Sequence, residues 1–248
     1  MPSIFQVGGC VRDAILGVKS KDIDFVFVLD DTSVSVKEGY EQMKMWLLYN
    51  GYTIFLETPE MFTIRGRFPK DHKNAGMTAD FVMARKEVGY VEGTRNPILE
   101  VGNLMDDLMR RDFTVNAMAM DDDENIIDPF GGIKDLGFLG VGLLRTPLPA
   151  EVTMMDDPLR ILRAMRFSVT KGFTISNEII LALKNQAILE KLAKTVSAER
   201  IRDEVYKMME HNTVESIERI MHFDTLIPGF AKLIFSRGLW LKPTFEKR

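Results

Sequence analysis

Polar and apolar residues alternate, or apolar residues gather in short β-branched and aromatic runs, at Asp22 to Leu29, Tyr52 to Leu56, Met61 to Arg65 and Thr78 to Ala84. Each of these stretches reads as a strand. Between them, Arg12 to Leu16 and Val36 to Asn50 carry the spacing of helices, and Lys70 to Gly76 is a polar, glycine-containing loop inside the sheet region. After Pro147 and Pro149 the period changes. Asp157 to Phe167, Asn177 to Ala193, Ser197 to Glu210 and Val214 to His222 place apolar residues three and four apart, as amphipathic helices do. The pattern predicts an α+β chain: a mixed sheet with flanking helices over 1–145, then an all-helical part over 146–248. The Pro-containing segment Arg145 to Ala150 is the boundary.

Composition narrows the function classes. The 248 residues, 46% of them hydrophobic, suffice for a buried core. A formal net charge of -4 speaks against a protein that coats nucleic acid nonspecifically, so an RNA substrate would need a local basic groove. Cys10 is the single cysteine, which excludes an intramolecular disulfide, and no Cys/His cluster has zinc-ligand spacing. No segment approaches the ~20 consecutive apolar residues of a membrane span. The start, Met1 to Cys10, lacks the charged and apolar regions of a signal peptide. A cytoplasmic protein with no membrane partner is expected.

The chemistry begins at Asp22 and Asp24. In a strand, i and i+2 side chains share a face, so both carboxylates stand together while Ile23 points the other way. Such a pair repels itself unless cations intervene, and divalent metals held by one or two carboxylates with substrate phosphates remove that repulsion. Taken alone, Asp-x-Asp is equally the pattern of a solvated strand edge. Upstream, Gly8 and Gly9 come just before the helix expected over Arg12 to Leu16, where a glycine backbone and helix amides can approach a phosphate; Arg12 adds a cation. A ligand-free glycine turn is the plainer alternative. Thr78 to Arg85 alternates like a strand, so Asp80 could come beside the first two carboxylates as a third acidic group in the metal site.

With these motifs in order, the sequence resembles the class II tRNA nucleotidyltransferase (CCA-adding enzyme) and bacterial poly(A) polymerase family, which shares a GGxVRD…DxD opening. Arg110 to Ala117 (RRDFTVNA), Asp128 to Leu136 (DPFGGIKDL), Asp156 to Arg160 (DDPLR) and Ser197 to Arg200 (SAER) resemble its later elements. The resemblance runs from about residue 5 to about residue 228. It implies a polymerase-β-like nucleotidyltransferase head and a helical neck with a truncated body.

It further implies that Arg111, Asp112 and Asn116 contact the ribose, with Asp112 and Asn116 one turn apart on a predicted helix. Asp157 and Arg160 would read the base. Three apart on a helix, they would share a face, one accepting hydrogen bonds and the other donating them. That suits cytosine and adenine, which offer an amino donor beside a ring-nitrogen acceptor. An ordinary surface ion pair would show the same spacing. Arg163, Arg166, Glu199 and Arg200 are supporting residues, with Ser197 as a helix N-cap. Arg85 and Glu87 resemble an Arg-x-Glu element, interrupted by an extra Gly89.

The activity implied is two-metal transfer of CMP and AMP from CTP and ATP to an RNA 3′ end, preferably of tRNA, with release of pyrophosphate and with two Mg²⁺, or alternatively Mn²⁺, at Asp22 and Asp24. The stretch Leu144 to Ala150 favours CCA addition. Poly(A) tailing and A-only or CC-only addition share the motifs. Nucleotide transfer to a protein or small molecule, and a non-catalytic RNA-binding module, are the readings of other classes. Two departures are Thr153, where many bacterial relatives carry arginine, and a length that implies a reduced RNA-binding surface.

Overall fold

The computed structural model describes residues 2–20, 23–90, 97–137 and 141–236. The chain divides into two compact units, Met1–Leu136 and Gly137–Arg248.

The first unit runs β1 (Ser3–Val7), α1 (Gly9–Ile15), β2 (Asp24–Val28), α2 (Val36–Tyr49), β3 (Thr53–Thr58), β4 (Thr63–Arg67), β5 (Thr78–Met83), β6 (Arg85–Tyr90), β7 (Pro97–Val101), α3 (Leu104–Met109), β8 (Ala119–Met120), β9 (Ile126–Ile127) and α4 (Gly132–Asp135). Seven strands form one mixed sheet in the order β3-β4-β5-β2-β1-β8-β9, with β6 and β7 as a separate hairpin. In the seven-stranded sheet β2 and β5 are parallel, and the other pairs are antiparallel.

Alternation gives this sheet two faces. Phe25, Phe27, Ile64, Phe81 and Met83 project to one, where Tyr40, Met43 and Leu47 of α2 cover them. The aromatic rings interlock, Phe25 stacking on Phe81 with centroids 5.4 Å apart. Helix α2 starts at a full capping box between Ser35 and Glu38. It can sit close because Gly39 has no side chain: a Cβ there would lie 2.8 Å from Leu29 and Met83. On the opposite face Val26 packs with Val7, Leu108 and Ala119. That face also carries Asp24 and Asp80.

The second unit runs β10 (Leu143–Leu144), α5 (Ala150–Asp156), α6 (Arg160–Thr170), β11 (Thr174–Ile175), α7 (Asn177–Ala182), α8 (Gln186–Thr195), α9 (Ala198–His211), α10 (Thr213–Leu226) and α11 (Phe230–Phe235). It is helical apart from the short parallel pair β10–β11. That pair ties Leu143 and Leu144 to the helices that follow, so the units divide after Leu136, ahead of the proline segment expected as the boundary.

Three expected helices change. The helix expected over 157–167 starts only at Arg160, as α6, because Pro158 lacks an amide hydrogen and biases Asp157 to extended backbone (φ -132°, ψ 98°), and α5 precedes it as a further helix. The one expected over 177–193 breaks before Gln186, where the Asn185 side chain caps a new helix by accepting from the Ala187 amide at 2.9 Å. Around Asp112 the chain is not α-helical: α3 ends at Met109, Phe113 is extended, and Thr114–Asn116 form a 3-10 turn. Among the described residues, no helix is long and apolar enough to cross a membrane.

Candidate nucleotide and metal site

In the first unit the chemistry gathers where β1 ends and β2 begins. Gly8 caps α1 at φ 79°, ψ -133°, a backbone conformation open to glycine. The thiol of Cys10 donates to the Val7 carbonyl at 3.2 Å and lies 3.8 Å from the Asp24 carbonyl oxygen, which sets the first turn of α1 against the start of β2. Burial pushes this thiol's pKa up. It is therefore a packed, neutral thiol. Asp24 is exposed at the end of its strand. Asp22 lies outside the described residues.

Arg111 reaches the Gly8 turn. A Cβ on Gly8 would lie 2.7 Å from its Nη1, so glycine is what lets the guanidinium sit there. Asp107 holds that guanidinium from below, accepting from Nη2 at 2.7 Å and Nε at 3.1 Å, and also accepts from Arg110. Burial is the largest single effect on the Asp107 carboxyl and raises its pKa, but Arg111 and Arg110 together outweigh it and hold the group below the ordinary carboxylate range.

A second chain of contacts begins at Arg12. Its buried guanidinium donates to Asp13 Oδ1 at 2.9 Å and to Asn116 Oδ1 at 2.6 Å, and Asn116 Nδ2 donates to Asp112 Oδ1 at 3.0 Å. Arg12, expected beside the triphosphate, thus also braces Asn116. Asp112 and Asn116 do meet, through the 3-10 turn and not across a helical one.

Below them lies the Asp128 to Leu136 segment. Asp128 accepts from the Gly132 and Ile133 amides at 2.7 and 2.9 Å, starting α4. Buried Asp135 accepts from Thr114 Oγ1 at 2.5 Å. Gly132 touches the same turn: a Cβ there would lie 2.3 Å from the Thr114 carbonyl oxygen. The motif is a buttress for the 114–116 turn.

Asp80 is in register with Asp24 on the neighbouring parallel strand, so both side chains leave the same face. Arg65, opposite it on β4, donates Nε to Oδ1 and Nη2 to Oδ2, each at 2.6 Å, so the carboxylate expected as the third metal ligand is also half of a bidentate ion pair.

In the second unit, Asp157 stands at the break between α5 and α6. Its Oδ1 accepts from the Leu159 amide at 3.1 Å and its Oδ2 from Arg200 at 2.8 Å. Arg160 opens α6 and donates to the Thr153 carbonyl at 2.9 Å. The expectation of one shared helical face is corrected accordingly: the backbone break holds the two residues, and Arg200 is the ion-pair partner of Asp157. Arg163 and Arg166 converge on buried Glu204 of α9, at 3.5 and 2.6 Å, and Arg166 also lies 4.4 Å from the centre of the Phe167 ring. Ser197 caps α9 by accepting from the Arg200 amide at 3.3 Å, and Glu199 is exposed in its first turn.

With this geometry in view, the family described as Poly A polymerase head domain matches residues 4–138. The chain belongs to this family. The poly(A) polymerase head therefore covers the whole Gly8, Asp24, Asp80 and Arg111 arrangement. A Neisseria gonorrhoeae Multifunctional CCA protein is 37% identical over 221 residues, covering 87% of this chain and 47% of its own length. The Thermotoga maritima CCA-adding enzyme complexed with tRNA_CCA superposes with a TM-score of 0.66 at 29% identity, covering 90% of this chain and 47% of that one. The Bacillus stearothermophilus CCA-adding enzyme in complex with CTP gives 0.68 at 26% identity, over 93% and 51%. The chain spans about half the length of the curated relatives it matches.

Three residues of this family member escape a motif reading. Asp107 is legible in retrospect, since it precedes Arg110 and Arg111 by three and four residues, the spacing of helical ion pairs. Glu204 interrupts the apolar stripe Ile201, Val205, Met208, and a carboxylate on a buried face needs a partner. Arg65 gives no such signal, because its partner is chosen by strand register.

Proposed function

We propose that this chain is a template-independent nucleotidyltransferase that adds CMP and AMP from CTP and ATP to an RNA 3′ end, with tRNA as the preferred acceptor. The observation that carries the reading is the Gly8 turn, which Arg111 Nη1 approaches, followed by a first turn of α1 that Cys10 sets against the start of β2, where Asp24 is exposed. Anion-binding and cation-binding groups come together as a metal-bound triphosphate requires.

The donors fit a hard divalent cation, since Asp24 offers carboxylate oxygen and the nearby thiol is buried and protonated. Asp22 and Asp24 would hold Mg²⁺ or Mn²⁺, which when bound polarises the attacking and leaving oxygens. Around it, the backbone at Gly8 and Gly9 admits the triphosphate and Arg111 offsets its charge. Asn116, held by Arg12 and Asp112, presents an amide for the ribose. The RNA 3′-hydroxyl oxygen forms a bond to the α-phosphorus, the bond from that phosphorus to the bridging oxygen breaks, and pyrophosphate leaves. Asp157 accepts from and Arg160 donates to the Watson–Crick edge shared by cytosine and adenine. Arg200, Arg163, Arg166 and Glu204 keep these two in position.

The test supplies tRNA ending before CCA, in C or in CC, and an unrelated RNA, with each labelled nucleoside triphosphate in turn. Ordered addition of C, C and A to the tRNAs is expected. Long A tails on any RNA would favour poly(A) polymerase, and RNA-independent labelling would favour a protein or small-molecule acceptor. No labelling of any acceptor would overturn the proposal.

A further inference from the structure

Helix α5 stops at Asp156, and the carbonyls of its last turn need donors from outside the helix. The chain that follows cannot supply them all, because Asp157 turns to extended backbone and Pro158 has no amide hydrogen. Arg160 provides one donor, to the Thr153 carbonyl at 2.9 Å. A side chain from α8 provides the next two. Lys191 Nζ donates to the Met155 carbonyl at 2.6 Å and to the Asp156 carbonyl at 3.3 Å. Lys191 is half-buried, and a cation at the negative end of a helix is favourably placed. Helix α8 is tied to α5 at its start as well, where Asn185 Nδ2 donates to Glu151 Oε1 at 2.5 Å. Lys191 thus sits on the two carbonyls immediately before Asp157.

We propose that Lys191 is a positioning residue for base selection: it fixes the end of α5, and through it the Asp157 break, so that Asp157 and Arg160 meet one nucleotide edge together. The inference rests on the reading of Asp157 and Arg160 as base-reading groups and deepens it. Arg200 holds the Asp157 side chain through Oδ2, whereas Lys191 holds the backbone that carries it. Without the ammonium, two carbonyls lose their donor and water can open the last turn of α5. The Asp157 acceptor then drifts relative to Arg160, which stays anchored to the Thr153 carbonyl one turn back. Cytosine and adenine need the acceptor and the donor at once, so their binding falls more than that of uracil.

The test is calorimetric titration of the full chain with CTP and UTP in Mg²⁺ buffer, reading the ratio of the two affinities. Unfolded protein lowers the stoichiometry and leaves that ratio alone, so a purely structural role would not move it. Asp157→Ala sets the scale of lost selectivity. Lys191→Met, which keeps the stem and removes the donor, is expected to lower the ratio about fivefold or more. Lys191→Arg, which can still donate to the helix end, should stay within about twofold of the parent. The double variant Asp157→Ala/Lys191→Met should match Asp157→Ala within about twofold, since a residue acting through Asp157 has nothing left to position. Parent-like selectivity in Lys191→Met would overturn the proposal, and so would a double variant that loses as much again. If the methionine variant melts too early by circular dichroism to titrate, Lys191→Gln carries the test, with a lowered ratio expected and a parent-like one overturning the proposal. Parent-like selectivity in Asp157→Ala would instead remove the base-reading role, and this inference with it. Base selection by a parent that labels no RNA would leave this inference standing and overturn only the proposed transfer.

Discussion

Asp107 has no exposed surface and serves two guanidiniums at once. Removing one partner of a buried charge cluster leaves the others uncompensated, which costs about 3–5 kcal/mol. Asp107→Asn is therefore expected to lower stability at neutral pH by a sizeable part of that range in urea unfolding. The sign with pH follows from its depressed pKa. A carboxyl whose folded value lies below its unfolded value contributes stability above the unfolded value and loses it as pH falls through the folded one. The gap between parent and Asn variant should shrink toward acid pH; a pH-independent gap would contradict the assignment. Gly8→Ala joins strain at positive φ to a 2.7 Å approach to Arg111, the free end of a long side chain. A stability loss of about 1–2 kcal/mol with a clearly weaker CTP affinity, measured by titration, is expected, since Arg111 must leave the turn.

At the scale of elements, ion pairs on one helix differ in weight. Helix α9 holds α6 through buried Glu204 with Arg163 and Arg166, and pairs Arg200 with Asp157 at the surface. The Arg200 pair is half-exposed and should contribute under about 1 kcal/mol, whereas Glu204→Ala strands two arginines and should cost about 3 kcal/mol or more. Urea unfolding of Arg200→Ala and Glu204→Ala compares them; equal losses would contradict this ranking. Gly132→Ala is a steric counterpart. Its new methyl meets a backbone carbonyl at 2.3 Å, so about 3 kcal/mol of overpacking is expected in the same assay. The sequence made the strands around Phe25 and Phe81 readable because one face is buried and period two survives. The helix read from Asp157 starts later, after the proline, and the one read through Asn185 is split by a side-chain cap; neither break disturbs the apolar spacing. Two-residue strands such as β10 and β11 carry no period to read. The glycine, RRDFTVNA and DDPLR motifs were legible as candidate sites, while Asp107, Glu204 and Arg65, which pair with residues in or near them, are set by packing and register.

Over the whole molecule, a poly(A) polymerase head of 4–138 is followed by a second, helical unit, and the chain corresponds to about half of its curated relatives. The net charge of -4 supplies no general attractive field for a polyanion, so the proposed RNA acceptor would have to be held by local groups. The proposed nucleotide transfer centres on Asp22 and Asp24. The most direct measurement compares labelled CMP and AMP incorporation into a tRNA ending before CCA by the parent, Asp22→Ala and Asp24→Ala, with circular dichroism melts to establish folding. Incorporation by the parent and a loss of at least about a thousandfold in both folded variants is the expected result. Parent-like incorporation by either folded variant would contradict a metal-dependent transfer centred on these carboxylates.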